Sequence, residues 1–199
     1  MWSICITIIP HNASYGLGLT IVVKNAIINT YLRSILLSSA MKKIVFLDLE
    51  DTVIDEFWKA DRANLMNIAR VRAFLAHERP DAVQLFSFAL GGDETVAQFR
   101  AAFEARLSEA LGVAFDLAAP FTTEKLFRLC RRHGTVFEDE HECMLFHGKE
   151  MGFQRFIEMS HEFDNTEVVL VDDSVDAKEI RMPRRNLTIR MVNVNDLPH

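Results

Sequence analysis

Three cysteines in 199 residues, Cys5, Cys130 and Cys143, are too few and too scattered to build a disulfide framework. A reducing cytoplasm is the simplest home for such a chain. The sequence also lacks any run of about 18 apolar residues, which argues against a membrane-spanning helix. Positive charge is not in excess: 22 Lys and Arg face 28 Asp and Glu, a net charge of −6. Such a field repels nucleic acid. The densest basic group, Arg128, Arg131 and Arg132, is too small to reverse this. It suits a solvated helix end or, alternatively, a contact to a substrate phosphate. No internal repeat or low-complexity segment occurs.

The first 40 residues lack acid altogether, with only Lys24 and Arg33 as charges. A secretory signal should open on basic residues, whereas this stretch opens Met-Trp-Ser-Ile-Cys, and the apolar run before Ser38-Ser39-Ala40 is too short. Two basic residues are also few for a transit peptide. We therefore expect residues 1–40 to be an atypical extension, with Met41-Lys42-Lys43 as the natural start. Residues 41–199 carry 20 basic and 28 acidic residues, a net charge of −8. A chain that is 49% apolar and 25% charged has the composition of a folded domain with a substantial core.

What is present is concentrated in two stretches. In the first, Ile44-Val45-Phe46-Leu47 runs into Asp48-Leu49-Glu50-Asp51-Thr52. An unbroken apolar run suits a strand buried on both faces, as in the middle of a parallel sheet. Unpaired acids are too costly to continue it, so the strand ends near Asp48. Ligands of open α/β sheets bind at that carboxyl edge. The second, Val168-Val169-Leu170-Val171, runs into Asp172-Asp173-Ser174-Val175-Asp176. Either stretch alone is compatible with a strand followed by an acidic turn or helix cap. Side by side, they would gather Asp48, Asp172 and Asp173 around one cation, and oxygen-only ligands suit Mg²⁺.

These stretches resemble the signature of the haloacid dehalogenase-like (HAD) hydrolases, over about residues 41–195. The first motif of that superfamily is an apolar strand followed by Asp-x-Asp-x-Thr/Val, and Asp48 and Thr52 take the first and last of those places. The fourth motif is an apolar strand ending in Asp-Asp or Asp-x-x-x-Asp, which Asp172, Asp173 and Asp176 satisfy in either form. The second motif, a strand ending in Ser or Thr, resembles the stretch from Ala82 to Ser87. For the third, a lysine before the fourth motif, Lys149 is preferred over Lys125. The chain departs from the pattern at Glu50, where the superfamily has Asp, and at Asp51, where it usually has Gly. The resemblance implies a Rossmann-like parallel sheet of about five strands flanked by helices. About 30 residues separate the first two motifs, too few for a large helical cap.

Around these motifs the sequence predicts a helix over 55–77 and a second from about Asp93 or Thr95 to Leu111, ended by Gly112. A short third strand is expected within Val113–Phe121. A helix Glu124–Arg132 follows, started by Thr122 or Thr123 and stopped by Gly134. Gly148-Lys149 opens a helix over Met151–Met159, and Leu187–Val192 supplies a fifth strand at the sheet edge. His141, Cys143 and His147 suggest zinc, but their spacing fits no strong pattern and a fourth ligand is missing.

The activity implied by the resemblance is Mg²⁺-dependent phosphomonoester hydrolysis, with Asp48 as the nucleophile that becomes an aspartyl phosphate. Asp172 and Asp173 hold the metal together with Asp48 and the backbone carbonyl of Glu50. Lys149 offsets charge on the nucleophile and the phosphoryl group, and the Ser87 hydroxyl binds a phosphate oxygen. Glu50, or else Asp51, protonates the leaving oxygen and then activates water. Two alternatives stay open: an inactive binding module of the same fold, and another reaction at the same site. The latter would be phosphoryl transfer or, less compatible with paired acids, dehalogenation. The partner is a phosphorylated substrate whose identity the motifs do not give.

Overall fold

The computed structural model describes residues 41–198; the expectations for residues 1–40, and Cys5 among them, lie outside the described residues. Strand β1 (Lys42–Leu47) is central, flanked by β2 (Ala82–Leu85) on one side and β3 (Thr166–Asp172) on the other. Beyond β3 come β5 (Leu187–Asn193) and, at the edge, β4 (Lys178–Met182), giving the order β2-β1-β3-β5-β4. All pairings are parallel except β4 with β5. The architecture is α/β, a mostly parallel five-stranded sheet with helices on both faces.

The apolar runs divide by alternation between those faces. Val45 and Leu47 of β1 lie with Val83, Leu85, Val169 and Val171 under α1 (Ile68–Glu78) and under α2 (Asp93–Phe99), which passes through a π turn (Arg100–Glu104) into α3 (Ala105–Leu111). Ile44 and Phe46 lie with Val168, Leu170, Ile189 and Met191 on the opposite face. There they meet α4 (Thr123–Arg132) and α5 (Glu140–Met159). Phe46 packs edge-on against Phe153, Phe156 and Phe163, with ring centroids 5.3–6.5 Å apart. Burial on both faces is why the runs in β1 and β3 carry no polar alternation.

Several expectations are corrected. The helix foreseen over 55–77 begins only at Ile68. Before it, the Asp55 carboxylate accepts hydrogen bonds from Glu56 N, Asn64 N and Asn64 Nδ2 at 2.8–2.9 Å. That local side-chain bonding competes with helix formation and leaves only a 3-10 turn over Phe57–Arg62. The third strand expected within 113–121 reduces to a single bridge between Val83 and Phe115. Asp116 turns the chain there, accepting from Gln84 Nε2 and from Ala118 N. The strand expected at Leu187–Val192 is β5, but β4 takes the edge and leaves β5 interior. The helix expected after Gly148-Lys149 is the second segment of the last long helix, which Gly148 breaks; the first segment, from Glu140, was not foreseen. Among the described residues no helix is long and apolar enough to cross a membrane.

Candidate active site

The connections from β1 and β3 leave toward opposite sides of the sheet, so the crevice at the carboxyl ends of these two neighbours is where a fold of this type binds ligands. Asp48 follows β1 directly, and its amide donates to Val171 O at 3.0 Å, extending the ladder by one bond. Asp172 ends β3. Both carboxylates are fully buried. Oxygens of Asp48, Asp172 and Asp173 lie within 4.8 Å of one another.

Lys149 occupies the space between the two buried acids, with Nζ 2.6 Å from Asp48 Oδ2 and 3.0 Å from Asp172 Oδ2. It gets there through the backbone. Gly148 adopts φ 61°, ψ −175°, a region essentially restricted to glycine, which breaks α5 and begins a new helical segment at Lys149. Lys125, its competitor in the sequence, is turned away onto Pro120 O.

The surrounding hydroxyls and amides fix the acids. Thr52 Oγ1 donates to Asp48 Oδ2 at 3.4 Å and accepts from Asp173 N at 3.1 Å, which links the two acidic stretches. Asp172 Oδ1 accepts from Ser174 N and Oγ at 2.8 and 2.6 Å. Ser87 is buried just past β2, where its Oγ accepts from Ala89 N at 3.4 Å and the hydroxyl favours the ionised form of the Asp48 carboxyl. Among the described residues, none partners the buried Asp48 Oδ1.

Electrostatics follow from this crowding. Burial pushes the Asp48 carboxyl up to about 7, opposed by the Lys149 cation and reinforced by Asp172. Burial works against the Lys149 ammonium too, yet the two carboxylates it faces outweigh burial and hold it above its ordinary range. The cation is over-satisfied and Asp48 under-satisfied, because two buried carboxylates share one ammonium. Burial and Asp172 also raise the Asp173 carboxyl. Three carboxylates and one ammonium leave two negative charges, the balance for a divalent cation. The oxygen-only donor set and the orphaned Asp48 Oδ1 fit such an ion.

The remaining sequence-derived residues fall as follows. Glu50 gives no side-chain oxygen to the cluster; its Oε1 accepts from Phe57 N at 3.0 Å, and its side chain lines the adjoining cavity of about 490 Å³. Asp51 is exposed and left-handed, φ 58°, a conformation in which glycine is the least costly residue. Asp176 is exposed, its amide donating to Glu150 Oε1. Arg128 pairs with Glu124 and Arg131 lies over the Phe127 ring, both on the helix they occupy.

The cavity is walled by residues that the sequence did not single out, among them Trp58, Phe88, Glu140 and Met144, together with His141. Nothing in their local spacing marks them, because three separate segments contribute. Comparison with protein-family models, with curated proteins and with solved structures finds no match in any of the three. Function is therefore read from the chemistry at the carboxyl edge of the sheet.

Proposed function

We propose that this protein is a Mg²⁺-dependent phosphomonoester hydrolase of the HAD type, with Asp48 as the nucleophile. The observation that carries this reading is the state of Asp48: fully buried, one oxygen 2.6 Å from Lys149 and the other without a partner among the described residues. A carboxylate kept in that condition is costly to the fold, and strongly perturbed acids of this kind concentrate at reactive sites.

Asp48, Asp172 and Asp173, with the Glu50 carbonyl, are the residues that would hold Mg²⁺, which when bound neutralises charge on the phosphoryl oxygens. The unpartnered Asp48 oxygen attacks phosphorus and the P–O bond to the leaving group breaks. Glu50, on the cavity wall, gives its proton to the departing oxygen. Water then cleaves the aspartyl phosphate, losing a proton to Glu50 as inorganic phosphate departs. Lys149 offsets the charge of nucleophile and phosphoryl group throughout, and the Ser87 hydroxyl supplies a hydrogen bond to a phosphate oxygen. Trp58, Phe88 and Met144 line the cavity beside these groups, which favours a small organic phosphate carrying an apolar or aromatic group.

A panel of aryl and alkyl phosphates assayed with Mg²⁺ tests the reading. Turnover that needs Mg²⁺ and disappears in Asp48→Asn is expected. A wild type that binds Mg²⁺ but hydrolyses nothing on the panel would instead make the protein a binding module of the same fold.

A further inference from the structure

Away from the carboxylate cluster, the structure brings together three residues far apart in sequence. Cys130, on α4, meets Cys143 and His147, one turn apart on the first segment of α5. Their sulfur and nitrogen atoms lie within 4.8 Å of one another; the two cysteines are buried and His147 is half-buried. The two cysteines are free thiols. Cys130 Sγ is 3.5 Å from His147 Nε2, while the buried His147 Nδ1 atom has no hydrogen-bond partner among the described residues. Among the described residues the histidine packs on the rings of Phe137 and Phe146 and makes one weak contact to a thiol and no other side-chain hydrogen bond.

The geometry points to a Zn²⁺ site in which Cys130, Cys143 and His147 are the protein ligands and solvent fills the fourth position. Tetrahedral zinc with Zn–S of about 2.3 Å and Zn–N of about 2.0–2.1 Å holds sulfur and nitrogen about 3.6 Å apart. The 3.5 Å separation of Cys130 Sγ and His147 Nε2 matches that value before any ion is added. Two thiolates and an imidazole select zinc over the hard cations that suit the carboxylate cluster. Burial keeps both thiols protonated in the metal-free protein, Cys143 up to about 12, whereas a coordinated thiol is deprotonated outright. Zinc binding thus forms two Zn–S bonds and one Zn–N bond and releases two protons to solvent, with no change of oxidation state. A centre of one Zn²⁺ and two thiolates is neutral, so the nearby Arg155 cation does not oppose it.

The site has a consequence for the cavity. The segment of α5 carrying Cys143 and His147 also carries Glu140, His141 and Met144, which wall that cavity, and ends at the Gly148 break before Lys149. Zinc shared with Cys130 pins this wall to α4.

Reduced, chelator-treated full-length protein is titrated with Co²⁺ as a spectroscopic probe, then with Zn²⁺. One equivalent of Co²⁺ should give thiolate-to-cobalt charge-transfer absorption that Zn²⁺ abolishes. Cys130→Ser and Cys143→Ser should each weaken Zn²⁺ binding by at least ~100-fold, the upper end of what even an outer-shell change costs. Cys5→Ser and Asp172→Asn should keep the absorption, which separates this site from the N-terminal thiol and from the carboxylate cluster. X-ray absorption of the Zn²⁺-loaded wild type needs no variant to fold. Two sulfur neighbours at about 2.3 Å support the site. A shell of nitrogen and oxygen alone, or cobalt absorption that survives Cys143→Ser, overturns it.

Discussion

Replacing Asp48 by Asn should stabilise the metal-free protein, and increasingly so as the pH rises. The substitution keeps the shape of a fully buried side chain and removes its charge. Burial, with Asp172 adding to it, raises the Asp48 carboxyl from 3.8 to about 7 against the pull of Lys149. A raised carboxyl means the folded state holds a proton that the unfolded state has released. Between about pH 4 and pH 7 the native state binds more protons, so stability falls as pH rises through that window, and the full penalty is present above about pH 7. At about 1.4 kcal/mol per pH unit the penalty reaches about 4 kcal/mol. Asn escapes it but gives up the ion pair with Lys149, which keeps Asp172 at 3.0 Å; the expected net gain is about 1–4 kcal/mol at about pH 8, shrinking toward zero near pH 4. Urea unfolding in chelator, followed at several pH values, measures it. Saturating Mg²⁺ should reverse the order by stabilising the wild type and not the variant. A variant less stable than wild type at pH 8, or a difference that does not change with pH, refutes the reasoning that Asp48 is held charged against its surroundings.

Glu50→Gln keeps an acceptor for Phe57 N but loses the proton, so kcat should drop by about 10²–10⁴ with little change in stability; Glu50→Asp should retain activity, and Asp51→Asn should matter little. An inactive Asp51→Asn beside an active Glu50→Gln would move the acid/base role to Asp51. Asp172→Asn and Asp173→Asn should weaken Mg²⁺ binding, read by calorimetry, while raising metal-free stability through relief of carboxylate crowding; unchanged affinity in both would remove the metal site. Gly148→Ala places a Cβ where no neighbouring atom lies within 4 Å, so its cost is backbone strain alone, about 1–3 kcal/mol. Because the strain is relieved only by moving Lys149, turnover should fall with it, and a fully active, fully stable Ala variant would show that the break is not what positions the lysine.

Much of the carboxyl edge was legible because its signals are local. Ile44–Leu47 and Val168–Val171 are apolar without alternation, which only a strand covered on both faces tolerates, and the acids that follow have to lie where such strands stop. Gly112 in the left-handed conformation and Thr122 accepting from Lys125 N end and begin helices through contacts within one turn. The missed strand β4 had no such signal: its residues alternate between exposed and half-buried, and pairing with β5 alone makes it a strand.

By itself, the sequence determined that this is an α/β protein with two acid-tipped buried strands, because burial and charge act on each segment separately. Only the tertiary structure decided what shares a site. Strand order sets β1 beside β3 and so packs Asp48 against Asp172. The backbone break at Gly148 brings Lys149, already preferred to Lys125 in the sequence, between the two acids as their counter-ion. Asp55 captured Asn64 and stopped a helix whose periodicity was otherwise sound. Cys130 met Cys143 and His147 across two helices, whereas the sequence had grouped His141 with them. In each case the deciding contact joins residues on different elements, and local sequence pattern carries no information about that distance.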